Sequence, residues 1–328
     1  MSRSGSRLPF ALSERQEFPF IMKRLASIDI GTNTVLLLIA DISPDRSLNP
    51  LVYEQRVPRL GRGVDAFHRL HPDSMRRVIE VLREYSALIE ENKPQHTTVF
   101  GTSAVRDATN AHEFAAIIRA ETGFSLEILS GSDEALWTFR GAMSGLSKFT
   151  SATVVDIGGG STEITIGTPQ AIINSTSLNI GSVRLTERLL KNDPPDPQQV
   201  TSLRTTVREA LAAMAWPSLG DSILVAVAGT ATTLALIDQG LSNFNRTAVS
   251  GYRLSRQSIA MLSHNLSQTS SQDIRKMGDF LEGRNDIIAA GAIILDEMMT
   301  VFGFTEVIVS ERGVRYGIVL RDAERWEI

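Results

Sequence analysis

Two short segments of this chain place an aspartate, a glycine turn and hydroxyl side chains in sequence: Asp29-Ile-Gly-Thr-Asn-Thr34 and Asp156-Ile-Gly-Gly-Gly-Ser-Thr-Glu163. Glycine lets backbone N–H groups come close to an anion, and a neighbouring hydroxyl or amide adds a donor, so each turn suits phosphate oxygens. In the first turn those donors are Thr32, Asn33 and Thr34; in the second they are Gly158, Gly159, Gly160 and Ser161. One Asp-Ile-Gly turn alone is ordinary turn chemistry. Two copies with matching flanks, facing each other, would form a two-sided clamp.

Three further segments add candidates. Val225-Ala-Val-Ala-Gly229-Thr-Ala-Thr-Thr233 runs from an apolar strand through glycine into a helix, whose first amides, at Gly229 and Thr230, could bind an anion. Arg106, in Gly101-Thr-Ser-Ala-Val-Arg106, could pair with phosphate bidentately, although a lone arginine is more often a surface or salt-bridge residue. Ser130-Gly-Ser-Asp133 fits a helix capping box, which makes the following Glu134 a first-turn residue that could simply complement the helix dipole. His68 and His71 precede Pro72 without a third ligand nearby, so they make no metal site. Gly158 to Gly160 is followed by a strand pattern rather than a helix, which excludes a dinucleotide fingerprint, and no Gly-Lys-Ser/Thr phosphate loop is present.

The elements that must position these residues repeat. Each Asp-Gly segment reads as strand, turn and strand, with Ile164 and Ile166 on one face and Glu163 and Thr165 on the other. Helical spacing covers 75–91, with Pro94 just beyond it, and strands and helices then alternate: strand 97–101, helix 112–121, strand 125–129. The second half repeats the alternation with helix 200–215, strand 223–228, helices 230–239, 258–266 and 287–300, strand 306–309 and a terminal helix 314–326. The prediction is an α/β protein of two duplicated domains with a cleft between them. The proline-rich run 192–197 is expected to be a loop inside the second domain.

With 328 residues, two cores are expected. The 42% hydrophobic and 21% charged composition is that of a globular chain. Having no cysteine, it has no disulfide or thiolate chemistry, and a cytoplasmic location is expected. The net charge of −4 offers no basic footprint for nucleic acid, and the longest apolar runs fall short of a membrane span. Residues 1–23 read as a disordered extension, with Met22 a candidate start.

Taken in order, Asp29 to Thr34, Gly101 to Arg106, Ser130 to Glu134, Asp156 to Glu163, Gly229 to Thr233 and Ser310-Glu-Arg-Gly313-Val-Arg315 resemble the exopolyphosphatase and guanosine pentaphosphate phosphohydrolase family. The resemblance covers the chain from Leu25 onward and is to its short, two-domain type. It implies two actin-like, ribonuclease H-like domains: 24–138 joined by the terminal helix 313–328, against 139–312. It implies hydrolysis of a terminal phosphoanhydride of inorganic polyphosphate, or of guanosine penta- or tetraphosphate, with Glu134 as the base that activates water and Arg106 beside it. It implies Mg2+ or another divalent cation on Asp156 and Glu163, with Asp29 a third candidate, phosphate contacts that include Gly313, and a homodimer. Arg284 is left out, because the family more often has alanine where Arg284-Asn-Asp286 has its middle residue. A kinase or ATPase on the same fold, and a non-catalytic sensor of guanosine polyphosphates, stay open as alternatives.

Overall fold

The computed structural model describes residues 22–146, 148–168, 170–214 and 222–325. Most of the expected N-terminal extension, 1–21, and the end of the terminal helix, 326–328, lie outside the described residues.

The first sheet holds β1 (Lys23–Ile30), β2 (Val35–Ile42), β3 (Leu48–Arg56), β4 (His96–Gly101) and β5 (Leu126–Ile128), in the order β3-β2-β1-β4-β5. The second holds β6 (Ala152–Ile157), β7 (Thr162–Gly167), β8 (Ile172–Leu178), β9 (Ile223–Val227), β10 (Arg253–Ser255) and β11 (Glu306–Val309), in the order β10-β11-β9-β6-β7-β8. The helices of the first half are α1 (Val64–Phe67), α2 (Pro72–Asn92), α3 (Ser103–Arg106), α4 (Ala111–Thr122) and α5 (Gly131–Met143). Those that follow are α6 (Ser182–Leu189), α7 (Pro197–Ala212), α8 (Ala228–Asp238), α9 (Arg246–Val249), α10 (Arg256–Leu266), α11 (Ser271–Arg275), α12 (Ile288–Phe302) and α13 (Val314–Arg325).

The duplication is visible in the pairing. β1, β2 and β3 form an antiparallel meander, and β4 and β5 extend it in parallel from β1. β6, β7 and β8 form the same meander, and β9 and β11 extend it in parallel from β6. The expected duplicated hairpins are therefore β1-β2 and β6-β7, and each places its Asp-Gly turn at the carboxyl end of a central strand, where α/β sheets bind ligands. β3 and β8 were not foreseen. β3 contains Pro50, β8 is rich in serine and threonine, and both are sheet-edge strands whose half-exposed residues carry a weak apolar pattern.

The two halves exchange helices. α5, which follows β5 of the first sheet, packs Phe139, Ala142 and Met143 against Val154, Val225 and Val227 of the second. α13, which follows β11 of the second sheet, packs Tyr316, Val319 and Ala323 against Leu25, Leu38 and Ile42 of the first. They cross where glycines remove side chains: a Cβ on Gly317 would lie 1.8 Å from the Trp137 carbonyl oxygen, and one on Gly141 would lie 2.2 Å from that of Gly313. The expected division at 138/139 falls inside α5, which as a whole is shared between the halves.

Candidate active site

The cleft opens between the carboxyl ends of β1 and β6. It is lined by Asp29 and Thr32 to Thr34 from the first turn, Asp156 and Gly158 to Ser161 from the second, Gly229 and Thr230 at the start of α8, and Glu134 at the start of α5. The two turns touch. A Cβ on Gly159 would lie 2.9 Å from Thr32 Cβ, and one on Gly160 would lie 2.4 Å from Ser103 Oγ. Glycine is thus required at 159 and 160 by the close approach of the opposite half.

The second turn presents amides because α6 takes its carbonyls. The Gly158 oxygen accepts from Ser182 N at 2.9 Å, and the Gly159 oxygen accepts from Val183 N at 2.9 Å and Arg184 N at 3.0 Å. The Gly160 oxygen accepts from Arg184 Nε at 2.6 Å. In a planar trans peptide the next N–H points opposite to the carbonyl, so the amides of Gly159, Gly160 and Ser161 face away from α6, toward the cleft. The first turn is fixed by Gly31 N, which donates to the Thr34 oxygen at 3.0 Å, and by Asn33 Nδ2, which donates across the cleft to the Gly283 oxygen at 3.1 Å.

Glu134 occupies the first-turn position the sequence suggested, and the helix is capped at Ser130, whose Oγ accepts from Asp133 N at 3.0 Å. Yet Glu134 is only 7% exposed and turns inward, where Arg106 Nη1 donates to its Oε2 at 2.8 Å. The same Nη1 also reaches the Leu129 oxygen at 3.0 Å. Arg106 therefore holds the carboxylate from behind, and its side chain does not itself line the cleft. Burial, then repulsion from Glu163, raises the Glu134 pKa well above the ordinary carboxylate range, with Arg106 opposing.

Burial also raises Asp156, with repulsion from Glu163 and Asp29 adding to it, and raises Glu163, whose Oε1 accepts from Ser177 Oγ at 2.6 Å. Asp29 is pushed up to about 7 by burial, against the pull of Arg315. Three polar atoms on the cleft wall, Asp29 Oδ1, Asn33 Oδ1 and Ser103 Oγ, are buried without a protein hydrogen-bond partner, which leaves them free to meet an ion, ordered water or a ligand.

Several expected residues stand apart. Glu163 lies behind the cleft wall, Gly313 packs on α5, and the Thr230 hydroxyl is committed to the Ile157 oxygen at 3.0 Å, leaving its backbone as the part that could meet an anion. Among the described residues no three carboxylates or imidazoles stand close enough to cage one ion, so Asp29, Asp156 and Glu163 do not form a ready three-ligand set. His71 caps α2, its Nδ1 accepting from Asp73 N at 3.2 Å.

Arg284, set aside on sequence grounds, is a wall of the cleft. It is 9% exposed, its guanidinium covers Gly229, where a Cβ would lie 2.4 Å from Nη1, and its Nη2 approaches Thr34 Oγ1 at 3.4 Å. Burial lowers its pKa to about 10, which leaves it charged at neutral pH. Thr102, Ser103 and Ser182 also line the cleft without having been singled out. Ser103 sits inside the Gly101 to Arg106 segment, and that was its one signal.

A duplicated α/β fold whose cleft is walled by two glycine turns beside a buried, arginine-held carboxylate defines the class. The chain belongs to the Ppx/GppA phosphatase family, whose pattern it matches over residues 38–326. Exopolyphosphatase 2 of Mycobacterium tuberculosis is 34% identical over 314 residues, spanning 91% of this chain and 98% of the relative. A guanosine-5'-triphosphate,3'-diphosphate pyrophosphatase of Vibrio cholerae is 28% identical over 85% of this chain and 56% of its own length. The crystal structure of the Aquifex aeolicus Ppx/GppA family member matches with a TM-score of 0.79 and 30% identity, covering 94% of this chain and 99% of that one.

Proposed function

We propose that this chain is a phosphoanhydride hydrolase that removes the terminal phosphoryl group of inorganic polyphosphate, or the 5'-terminal phosphoryl group of guanosine pentaphosphate. The observation that carries the reading is Glu134: a buried carboxylate with a raised pKa, ion-paired to Arg106, opening on a cleft walled by two phosphate-suited turns.

The terminal phosphoryl group binds between the amides of Gly159 to Ser161 and the side chains of Thr32 to Thr34. Arg284 and the start of α8 neutralise its oxygens. Glu134 accepts a proton from water, the water oxygen bonds to the terminal phosphorus, and the bridging P–O bond breaks, leaving its electrons on the shortened chain. A base with a raised pKa suits that transfer near neutral pH. Phosphoryl transfer needs chiefly position and charge neutralisation, which the turns and Arg284 provide.

The donor set fits a hard divalent cation, since the buried carboxylates repel one another and Asp29 Oδ1 is unpartnered. Mg2+ needs only one or two carboxylates besides water and substrate oxygens, so Asp156 and Asp29 would hold it, with Glu163 behind them. When bound, it neutralises charge on the phosphoryl oxygens.

The test is phosphate release from polyphosphates of several lengths and from guanosine pentaphosphate in parallel, with and without a chelator. Release from one substrate class that stops on chelation is the expected result. Substrate binding without release from either would replace the hydrolase with the sensor.

A further inference from the structure

We propose that Arg184 is a positioning residue that locks the two halves in the closed arrangement and presents the glycine-rich turn to phosphate. Arg184 stands on the first turn of α6 and is 9% exposed. Its guanidinium serves three segments. Nε donates to the Gly160 oxygen at 2.6 Å, Nη1 pairs with Asp65 of α1, and Nη2 pairs with Asp107 just after α3. Asp65 and Asp107 belong to the first half of the molecule; Gly160 and Arg184 belong to the second.

These contacts join two things the reaction needs. The bond to Gly160 directs the Ser161 amide away from α6 and into the cleft. The bond to Asp107 holds the residue next to Arg106, whose guanidinium holds Glu134. One side chain thus sets the distance between the phosphate-binding turn and the base. Arginine is needed because a planar fork can make three directed bonds at once, which a lysine ammonium on a flexible stem cannot do with the same geometry. Asp65 also receives Arg188 Nη2 at 2.7 Å, so it remains neutralised when Arg184 is removed.

Because substrate contacts both turns, binding closes the cleft even without the lock. Removing the lock should therefore weaken apparent binding, by the fraction of molecules that stay closed, and leave turnover at saturation nearly intact. The kinetic part rests on the hydrolase reading; the conformational part does not.

The experiment uses Arg184→Gln, Arg184→Lys and the double variant Asp65→Asn with Asp107→Asn, all in the full chain. The double variant tests the lock while leaving Arg184 on Gly160, should the glutamine variant fail to fold. The expected kinetics are a KM raised about tenfold to a hundredfold in Arg184→Gln, the change produced when the closed form drops to about a tenth to a hundredth of the population. kcat should stay within about threefold, and Arg184→Lys should fall between it and wild type. Independently of activity, spin labels at Glu90→Cys on α2 and Met261→Cys on α10 report the distance between the halves; the absence of native cysteine makes the labelling selective. A narrow distribution in the ligand-free wild type, broadened in Arg184→Gln and in the double variant, is the expected result. Unchanged distances in folded variants, or a collapse of kcat at unchanged KM, would overturn the assignment.

Discussion

The two halves are built on one frame and do different work. In the first, the turn after β1 offers side chains, Thr32, Asn33 and Thr34, and leaves buried polar atoms unpartnered. In the second, the turn after β6 offers bare backbone, its carbonyls withdrawn into α6. The proposed base, Glu134, and its partner Arg106 belong to the first half alone, supplied by the start of α5 and by α3, beyond β5 and β4. The equivalent places in the second half, beyond β9 and β11, carry the neutral start of α8 and the turn into α13, and neither puts a carboxylate on the cleft wall. Duplication supplies two jaws, and the first jaw alone brings a carboxylate from the start of its last helix to the cleft.

That asymmetry can be tested by breaking each half in turn. The largest effect is expected at Glu134→Gln, which keeps shape and removes the base: kcat should fall by about 10² to 10⁴ with KM little changed. In the wild type, kcat should fall as pH drops through the raised Glu134 pKa, because the base must be ionised to accept a proton. A pH profile flat down to the ordinary carboxylate range would contradict that.

Arg106→Ala should reduce kcat by about 10², since it leaves a buried carboxylate unpaired and free to turn. If KM rises as well, Arg106 also meets phosphate; unchanged constants would return it to an incidental ion pair. Arg284→Ala, on the second half, should raise KM about tenfold with a smaller loss in kcat, the mark of a residue that binds ground state and transition state alike. Equal loss in both halves' variants would erase the contrast.

Asp29 gives a stability test. Its folded pKa of about 7 lies above its unfolded value, so between those values the folded chain holds a proton the unfolded chain has released. The contribution is complete below the unfolded pKa and lost as pH rises through about 7. In metal-free protein the melting temperature should therefore fall as pH rises from the ordinary carboxylate value of 3.8 to about 7, by less in Asp29→Asn. The smallest effect is expected at Ala228, a cleft-wall residue in the left-handed region at φ 66°. Ala228→Gly should raise stability by no more than about 1 kcal/mol, read from denaturant midpoints, because relief of strain is offset by backbone entropy.

What the sequence made legible follows from range. The hairpins around Asp29 and Asp156 are local: an apolar strand, a glycine turn and a second strand lie within about 15 residues, and periodicity reveals them. The cap at Ser130 is equally local, and so it was readable, but it could not say that Glu134 turns inward, because that depends on Arg106 and Glu163. The arginines in and behind the cleft wall are the clearest losses. Arg284 meets Thr34 and Gly229, and Arg184 meets Asp65 and Asp107, all distant in sequence, and no spacing rule encodes such encounters. The metal candidates could be named as residue types; their lack of a three-ligand geometry among the described residues could not be foreseen.

The most direct test of the central claim is hydrolysis of polyphosphate and of guanosine pentaphosphate in 18O-labelled water, comparing wild type with Glu134→Gln at matched enzyme concentration. One labelled oxygen in each released phosphate, none in the shortened substrate, and a rate lost in the variant is the predicted result. Label in the shortened substrate, or a variant as fast as wild type, would contradict attack by Glu134-activated water on the terminal phosphorus.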